Sequence, residues 1–217
     1  MKDFDAVIFD MDGVIFDSER CVLECWEVVA QRHGFSDIEE VFLACTGTND
    51  QKTKEIVLEA FGEDFPYDEY AKESSLLFHE KYDNGNLPIK PGIFHILDFL
   101  KSENKKIALA SSTRKEIVAQ ELRDAGLLHY FDKLVCGDMI SKSKPDPEIY
   151  LKACEEIGVS PERAYAIEDS YNGIRAAHSG KLKPIMVPDL LPADDEMKSL
   201  AEAVIDNLDL VINYLKD

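Results

Sequence analysis

Ala6-Val7-Ile8-Phe9-Asp10-Met11-Asp12-Gly13-Val14 joins an unbroken apolar run to two aspartates one residue apart and a glycine. Four consecutive apolar residues without alternation predict a strand buried on both faces, as strands of parallel sheets are. In open α/β sheets, ligands bind in the crevice beyond the carboxyl ends of the strands. Asp10 and Asp12 would therefore be delivered to a functional edge. Two carboxylates this close repel each other, and a bound cation or a proton on one of them relieves the repulsion. A solvated acidic turn is the alternative for this stretch taken alone. A calcium loop of the EF-hand kind is disfavoured, since its glycine stands sixth and follows a further acid.

Downstream, two patterns succeed each other. From Ser18 to about Asn86 the apolar spacing is helical throughout. Val22, Cys25, Trp26 and Val29 form one stripe that Gly34 ends, and Ile56, Val57, Ala60 and Phe61 form another, on a helix starting at Asn49 or Asp50. Pro66 and Tyr67 open a third, with Tyr70, Leu77 and Phe78 inward. After the turn-rich Asp83-Asn84-Gly85-Asn86, strands over 107–110, 134–136, 164–167, 184–187 and 203–205 alternate with helices over 92–100, 115–125, 147–157 and 172–179, and a last helical stripe runs from Leu208 to Leu215. That alternation predicts an α/β fold, a parallel sheet with helices on both faces. The core would comprise residues 1–16 and 87–217, with an all-helical cap over 17–86 inserted just after the first strand, where it could serve as a lid.

The 217 residues are enough for one large domain or a core with an insert. A formal charge of −19 argues against nucleic acid or an anionic membrane as partner, and it means that an anionic substrate needs local cations to bind. No apolar run approaches the ~18 residues of a membrane span. Met1-Lys2-Asp3-Phe4-Asp5 shows no leader pattern, and the five scattered cysteines read as reduced thiols, so a cytoplasmic protein is expected. A monomer or weak dimer is the expectation for its assembly, which no pattern in the sequence decides. Cys21 and Cys25 share a helix face but have no companion His or Cys nearby to complete a metal site. The five histidines occur singly and are assigned no catalytic part. Trp26, Phe35, Phe42, Phe61, Tyr67, Tyr70 and Phe78 read as cap core, and the acids from Asp189 to Glu202 as a solvated face. Ser112 or Thr113 would cap the helix that follows. Arg20, Lys52 and Lys54 are cap cations that could meet a phosphorylated substrate.

Further polar residues fall at predicted strand ends or in nearby loops: Ser111, Lys144 within Ser141-Lys142-Ser143-Lys144-Pro145-Asp146-Pro147, and Glu168-Asp169. Together with Asp10 and Asp12 they suit phosphoryl transfer. One carboxylate can act as nucleophile and a second as general acid and base, while a hydroxyl and an ammonium hold the phosphoryl oxygens. Further carboxylates make an all-oxygen site for Mg²⁺. Lys142 competes with Lys144 for the cationic role.

Asp10-Met11-Asp12-Gly13-Val14, Ser111, Lys144-Pro145-Asp146-Pro147 and Ile167-Glu168-Asp169-Ser170 resemble, in order, the four motifs of the haloacid dehalogenase superfamily. More narrowly, they resemble its helical-cap branch of small-metabolite phosphatases and β-phosphoglucomutases. The resemblance implies a Rossmann-like core and a Mg²⁺-dependent phosphatase of a small phosphorylated metabolite, such as a sugar phosphate, working through an aspartyl-phosphate. It further implies Asp10 as nucleophile, Asp12 as general acid and base, Ser111 and Lys144 as phosphate-binding residues, and Asp10, Asp12 (through its carbonyl), Asp169 and Glu168 as the metal site, with Glu168 a ligand or an outer-shell group. The dehalogenases of that family lack the second aspartate, so Asp12 argues against dehalogenation. Phosphomutase activity is the alternative. Against it, Val22 stands where the mutases carry a histidine, and Thr48-Asn49-Asp50 after Gly47 where they carry a basic residue. A phospho-acceptor signalling module also uses an aspartate, a hydroxyl, a lysine and a metal, but it has no helical cap.

Overall fold

The computed structural model describes residues 2–46 and 50–217, with residue 50 described by its backbone alone. Gly47, Thr48 and Asn49, and the side chain of Asp50, which bear on the mutase comparison and on one helix start, lie outside the described residues. The chain divides into two compact units, Met1–Asp17 with Pro88–Asp217, and Ser18–Leu87.

In the first unit the strands are β1 (Ala6–Phe9), β2 (Lys106–Ser111), β3 (Lys133–Cys136), β4 (Ala164–Glu168), β5 (Lys183–Met186) and β6 (Ala203–Val204). The helical insert supplies α1 (Ser18–His33), α2 (Ile38–Cys45), α3 (Asp50–Phe61) and α4 (Tyr67–Tyr82). Around the sheet lie α5 (Ile93–Ser102), α6 (Lys115–Asp124), α7 (Glu148–Ile157), α8 (Tyr171–Ser179), α9 (Asp195–Leu200) and α10 (Leu208–Lys216). All strand pairs are parallel, in the order β3-β2-β1-β4-β5-β6. This is the Rossmann order, in which the strand sequence reverses beside β1 and a ligand crevice opens at the carboxyl ends there.

Side chains alternate across the sheet, and the two faces differ in bulk. Ala6, Ile8, Ala108, Ala110, Ala164 and Ala166 pack with Ile149, Tyr150, Ala153 and Cys154 of α7 and with Ala176 and Ala177 of α8. The small strand residues let these helices approach closely. Val7, Phe9, Ile107, Leu109, Tyr165 and Ile167 alternate with them and are buried as well. Burial on both faces is what the unbroken apolar runs encode.

Where the first unit is left and rejoined, the two crossings pair. Phe16 bridges Ile89 in antiparallel sense, Asp17 N donates to Pro88 O (2.9 Å), and Lys90 N donates to Ile15 O (2.8 Å). Lys90 Nζ then reaches Asp189 (2.6 Å) and Asp17 (3.4 Å). The Asp189 side chain is only 2% exposed, so it does not belong to a solvated acidic face. The segment after it holds α9, which is missing from the sequence pattern because its six residues bury only Met197; the Asp194 carboxylate caps it, accepting from Met197 N (2.7 Å).

The helical unit also contains one helix that the spacing does not reveal. α2 has eight residues, too few turns for a stripe to stand out. Phe35, Phe61, Phe65 and Tyr70 pack ring against ring with centroids 4.8–5.7 Å apart. Trp26, Phe42 and Tyr67 instead help line a cavity of about 240 Å³ together with Val22, Val57 and Glu19. The aromatics of this unit are thus part core, part cavity wall. Among the described residues no helix is long and apolar enough to cross a membrane.

Lys90→Met is expected to lower stability by about 2 kcal/mol, because it takes the ammonium from the buried Asp189 carboxylate. A urea-unfolding midpoint, compared with wild type at equal slope, measures it.

Candidate active site

Register assembles the site. Phe9 of β1 pairs with Leu109 of β2 and Ile167 of β4, so Asp10 emerges flanked by Ala110 and Glu168. Asp10 N donates to Ile167 O at 2.9 Å, continuing the ladder one step past the strand. Glu168 ends β4 and is completely buried, while Asp10 and Asp169 are nearly so. One carboxylate oxygen of each of Asp10, Glu168 and Asp169 lies within 4.8 Å of the others, the one such group among the described residues that could hold a metal ion.

Lys144 faces this cluster. Its Nζ donates to Asp10 Oδ1, to Glu168 Oε1 (2.5 Å) and to Ala110 O (3.2 Å), and its side chain is 8% exposed. Lys142, the competitor two residues earlier, is 72% exposed and pairs with Asp146 (3.5 Å) at the surface. The loop is gripped from α7: the Glu148 carboxylate accepts from the backbone N–H groups of Ser141 and Lys142 (2.8 Å each), and Asp146 Oδ1 accepts from Glu148 N (3.0 Å). With its two ends tied this way, the loop turns Lys144 inward and Lys142 outward.

Burying three carboxylates around one ammonium is costly unless each is hydrogen-bonded. Glu168 meets that condition fully. Tyr150 O–H of α7 donates to Oε1 (2.6 Å), alongside Lys144. Oε2 accepts from Asp169 N (3.2 Å), Ser170 N (3.2 Å) and Ser170 Oγ (3.0 Å). Ser170 Oγ also accepts from Gly173 N (3.1 Å), capping α8, so one hydroxyl ties the carboxylate to a helix start.

The charges respond to burial and to one another. Burial pushes the Asp10 carboxyl well above the ordinary carboxylate range, against the pull of Lys144 and with Glu168 and Asp12 adding to the rise. Burial alone would weaken the Lys144 ammonium, but Asp10 and Glu168 outweigh it and hold the group charged beyond its usual range. Burial, followed by Glu168 and Asp10, raises the Tyr150 phenol well above its ordinary value, so it stays a donor.

Ser111, at the end of β2, is completely buried, and its Oγ accepts from Thr113 N (3.1 Å). Asp12 stands outside the three-carboxylate cluster and accepts from Thr113 Oγ1 (3.4 Å). Thr113 is therefore no helix cap. Arg114 occupies the cap position of α6 without a side-chain hydrogen bond, and the Asp138 carboxylate, which follows β3, takes the first helical N–H, that of Lys115 (2.9 Å). In the helical unit, Lys52 pairs with Glu55 (3.1 Å) and Lys54 with Asp68 (2.7 Å), both at the surface.

At the carboxylate cluster, two glycines are required by close approach. Gly13 has φ +76°, and a Cβ there would run into the Asp169 carboxylate; a Cβ on Gly173 would run into the Glu168 carboxylate. Gly13 was visible as a turn. Gly173, Tyr150 and Glu148 carry no sequence signal of their own beyond lying within six residues of a motif, while Ser170 closes one and Thr113 reads in the sequence as a cap.

The donor set fits a divalent cation. It is all oxygen and anionic, the type that hard cations take, and one lysine supplies a single positive charge to three carboxylates. Asp10 and Asp169 are residues that would hold it, with Glu168, both of whose oxygens are already hydrogen-bonded, as a ligand or an outer-shell group.

Comparison with known proteins gives the family. The family described as haloacid dehalogenase-like hydrolase matches residues 7–187. The phosphorylated carbohydrates phosphatase of Thermotoga maritima is 35% identical over 185 residues, covering 83% of each chain. The β-phosphoglucomutase of Bacillus subtilis is 32% identical over 202 residues, 86% of this chain and 88% of that protein. Among solved structures, β-phosphoglucomutase from Clostridium difficile superposes with a TM-score of 0.74 at 26% identity, over 98% of this chain and 96% of that one.

Gly173→Ala is expected to displace the Glu168 carboxylate. The outcome would be a loss of about 1–3 kcal/mol in urea unfolding, accompanied by weaker Mg²⁺ binding in titration calorimetry.

Proposed function

The chain belongs to the haloacid dehalogenase-like hydrolase family as a phosphomonoester hydrolase, and from that premise we propose that it releases phosphate from a small phosphorylated carbohydrate, with Asp10 as the nucleophile. The observation that carries this reading is the buried contact of Lys144 with Asp10 beside Glu168 and Asp169. A cation that can take phosphoryl charge beside the carboxylate proposed as nucleophile supports this reading.

In the proposed reaction an Asp10 carboxylate oxygen attacks phosphorus and the bond to the sugar oxygen breaks, leaving an aspartyl-phosphate. Asp12, held by Thr113 on the neighbouring loop, gives its proton to the departing oxygen. Asp12 then takes a proton from water as that water attacks phosphorus, which frees phosphate and restores Asp10. Lys144 and Ser111 hold the phosphoryl oxygens and offset their charge. Asp10, Asp169 and the Asp12 carbonyl, with Glu168 as ligand or outer-shell group, would hold a Mg²⁺, which would supply Lewis-acid charge to offset the phosphate.

Substrate class rests on the relatives, one named for phosphorylated carbohydrates and one for β-phosphoglucomutase activity. The second name supports a phosphomutase as the alternative. Val22, on α1 at the position of the mutase histidine, favours water as acceptor. The signalling-module reading gives way, because the chain is a member of a hydrolase family.

Phosphate release from a panel of sugar phosphates is expected with Mg²⁺ and is expected to vanish with a chelator. Asp10→Asn should lower kcat by a factor of about a thousand or more, and Asp12→Asn by about 10²–10⁴. Isomerised sugar phosphate without free phosphate would instead assign the mutase reaction.

A further inference from the structure

Lys144 has three protons and three acceptors: Asp10, Glu168 Oε1 and Ala110 O. Where the ammonium sits among them depends on how strongly each acceptor draws it. Glu168 Oε1 is the strongest competitor to Asp10, being a fully buried carboxylate oxygen 2.5 Å away. That same oxygen also accepts the Tyr150 O–H at 2.6 Å. A second short donor takes up part of the oxygen's charge and leaves less for Lys144.

The tyrosine ring acts on the same ammonium from another side. The Tyr150 ring centroid lies 5.1 Å from Lys144 Nζ, within the range of a cation–π contact. The side chain is completely buried between the sheet and α7, so neither the ring nor its hydroxyl has room to choose another partner. α7 also carries Glu148, whose carboxylate grips the lysine loop. One helix thus fixes the loop, the ring under the ammonium and the hydroxyl on its competing acceptor.

We infer that Tyr150 is a positioning residue for the hydrolysis: its hydroxyl shares Glu168 Oε1 with Lys144 and so keeps the ammonium directed at Asp10 and the phosphoryl group. It acts through Lys144 and Glu168 and touches neither phosphorus nor the leaving oxygen. The inference rests on the reading of Lys144 as the phosphoryl-holding cation. A tyrosine that only fills the core would be replaced by phenylalanine without effect on catalysis, because the ring and its volume are kept.

The test is a double-mutant cycle on Tyr150→Phe and Lys144→Ala. It uses hydrolysis of p-nitrophenyl phosphate, competitive inhibition by inorganic phosphate, and a melting curve for each chain. Tyr150→Phe is expected to melt cooperatively, to lower kcat about tenfold and to raise the phosphate inhibition constant by a similar factor, the size of one hydrogen bond to a charged group. In the Lys144→Ala background the same substitution is expected to change neither quantity further. Wild-type kcat and phosphate inhibition in Tyr150→Phe would overturn the inference, as would a loss of equal size in both backgrounds. A Tyr150→Phe chain without a cooperative melt would also overturn it, assigning the hydroxyl to the fold. Lys144→Ala with unchanged phosphate inhibition would overturn the reading of Lys144 itself, an outcome the single variant at 150 cannot produce.

Discussion

The structure of the first unit depends on burying like charges at one sheet edge. Asp10, Glu168 and Asp169 lie at or just past the carboxyl ends of two neighbouring strands, where they would repel one another if left bare. The repulsion is met by Lys144, by the backbone N–H groups of residues 169 and 170, and by the Tyr150 and Ser170 hydroxyls. Removing one partner from such a cluster costs more than the cluster contributes as a whole, since it leaves an uncompensated buried charge. The neighbouring chain is correspondingly constrained: Gly13 and Gly173 leave space for two of the carboxylates, and Glu148 ties down the lysine loop.

Topology explains why these groups meet. The order β3-β2-β1-β4-β5-β6 puts the first strand in the middle, next to strands that come about one hundred residues or more later. Parallel pairing sends all their carboxyl ends the same way, and register places residue 10 level with residue 168. Alanines on one sheet face admit α7 closely enough for Tyr150 to reach Glu168. Packing in the core therefore governs hydrogen bonding at the edge.

The helical unit has a different character. Its aromatic cluster of Phe35, Phe61, Phe65 and Tyr70 holds helix ends together, while Trp26, Phe42 and Tyr67 contribute to a cavity with mainly apolar walls. Its lysines at 52 and 54 are engaged with carboxylates of the same unit. The first unit keeps its own crossings paired through Phe16 and Ile89 and through the Lys90 contacts to Asp17 and Asp189.

The sequence by itself determined the α/β class, the helical insert and which polar residues stand at or near the strand ends. Apolar runs and helical stripes are local patterns, and each of Asp10, Ser111, Lys144, Glu168 and Asp169 stands at or close to the end of one. Short elements escaped, because α2 and α9 complete too few turns to display a period. Partnership was decided only by the tertiary structure. Lys144 and Asp10 are 134 residues apart, and Lys142 has the same chemistry, yet in a loop tied to Glu148 it is Lys144 that turns inward and Lys142 that faces the surface. The pairing of Thr113 with Asp12, of Tyr150 with Glu168 and of Asp189 with Lys90 likewise depends on which strands lie side by side. Periodicity records the face a residue presents; it does not record which distant residue will be opposite.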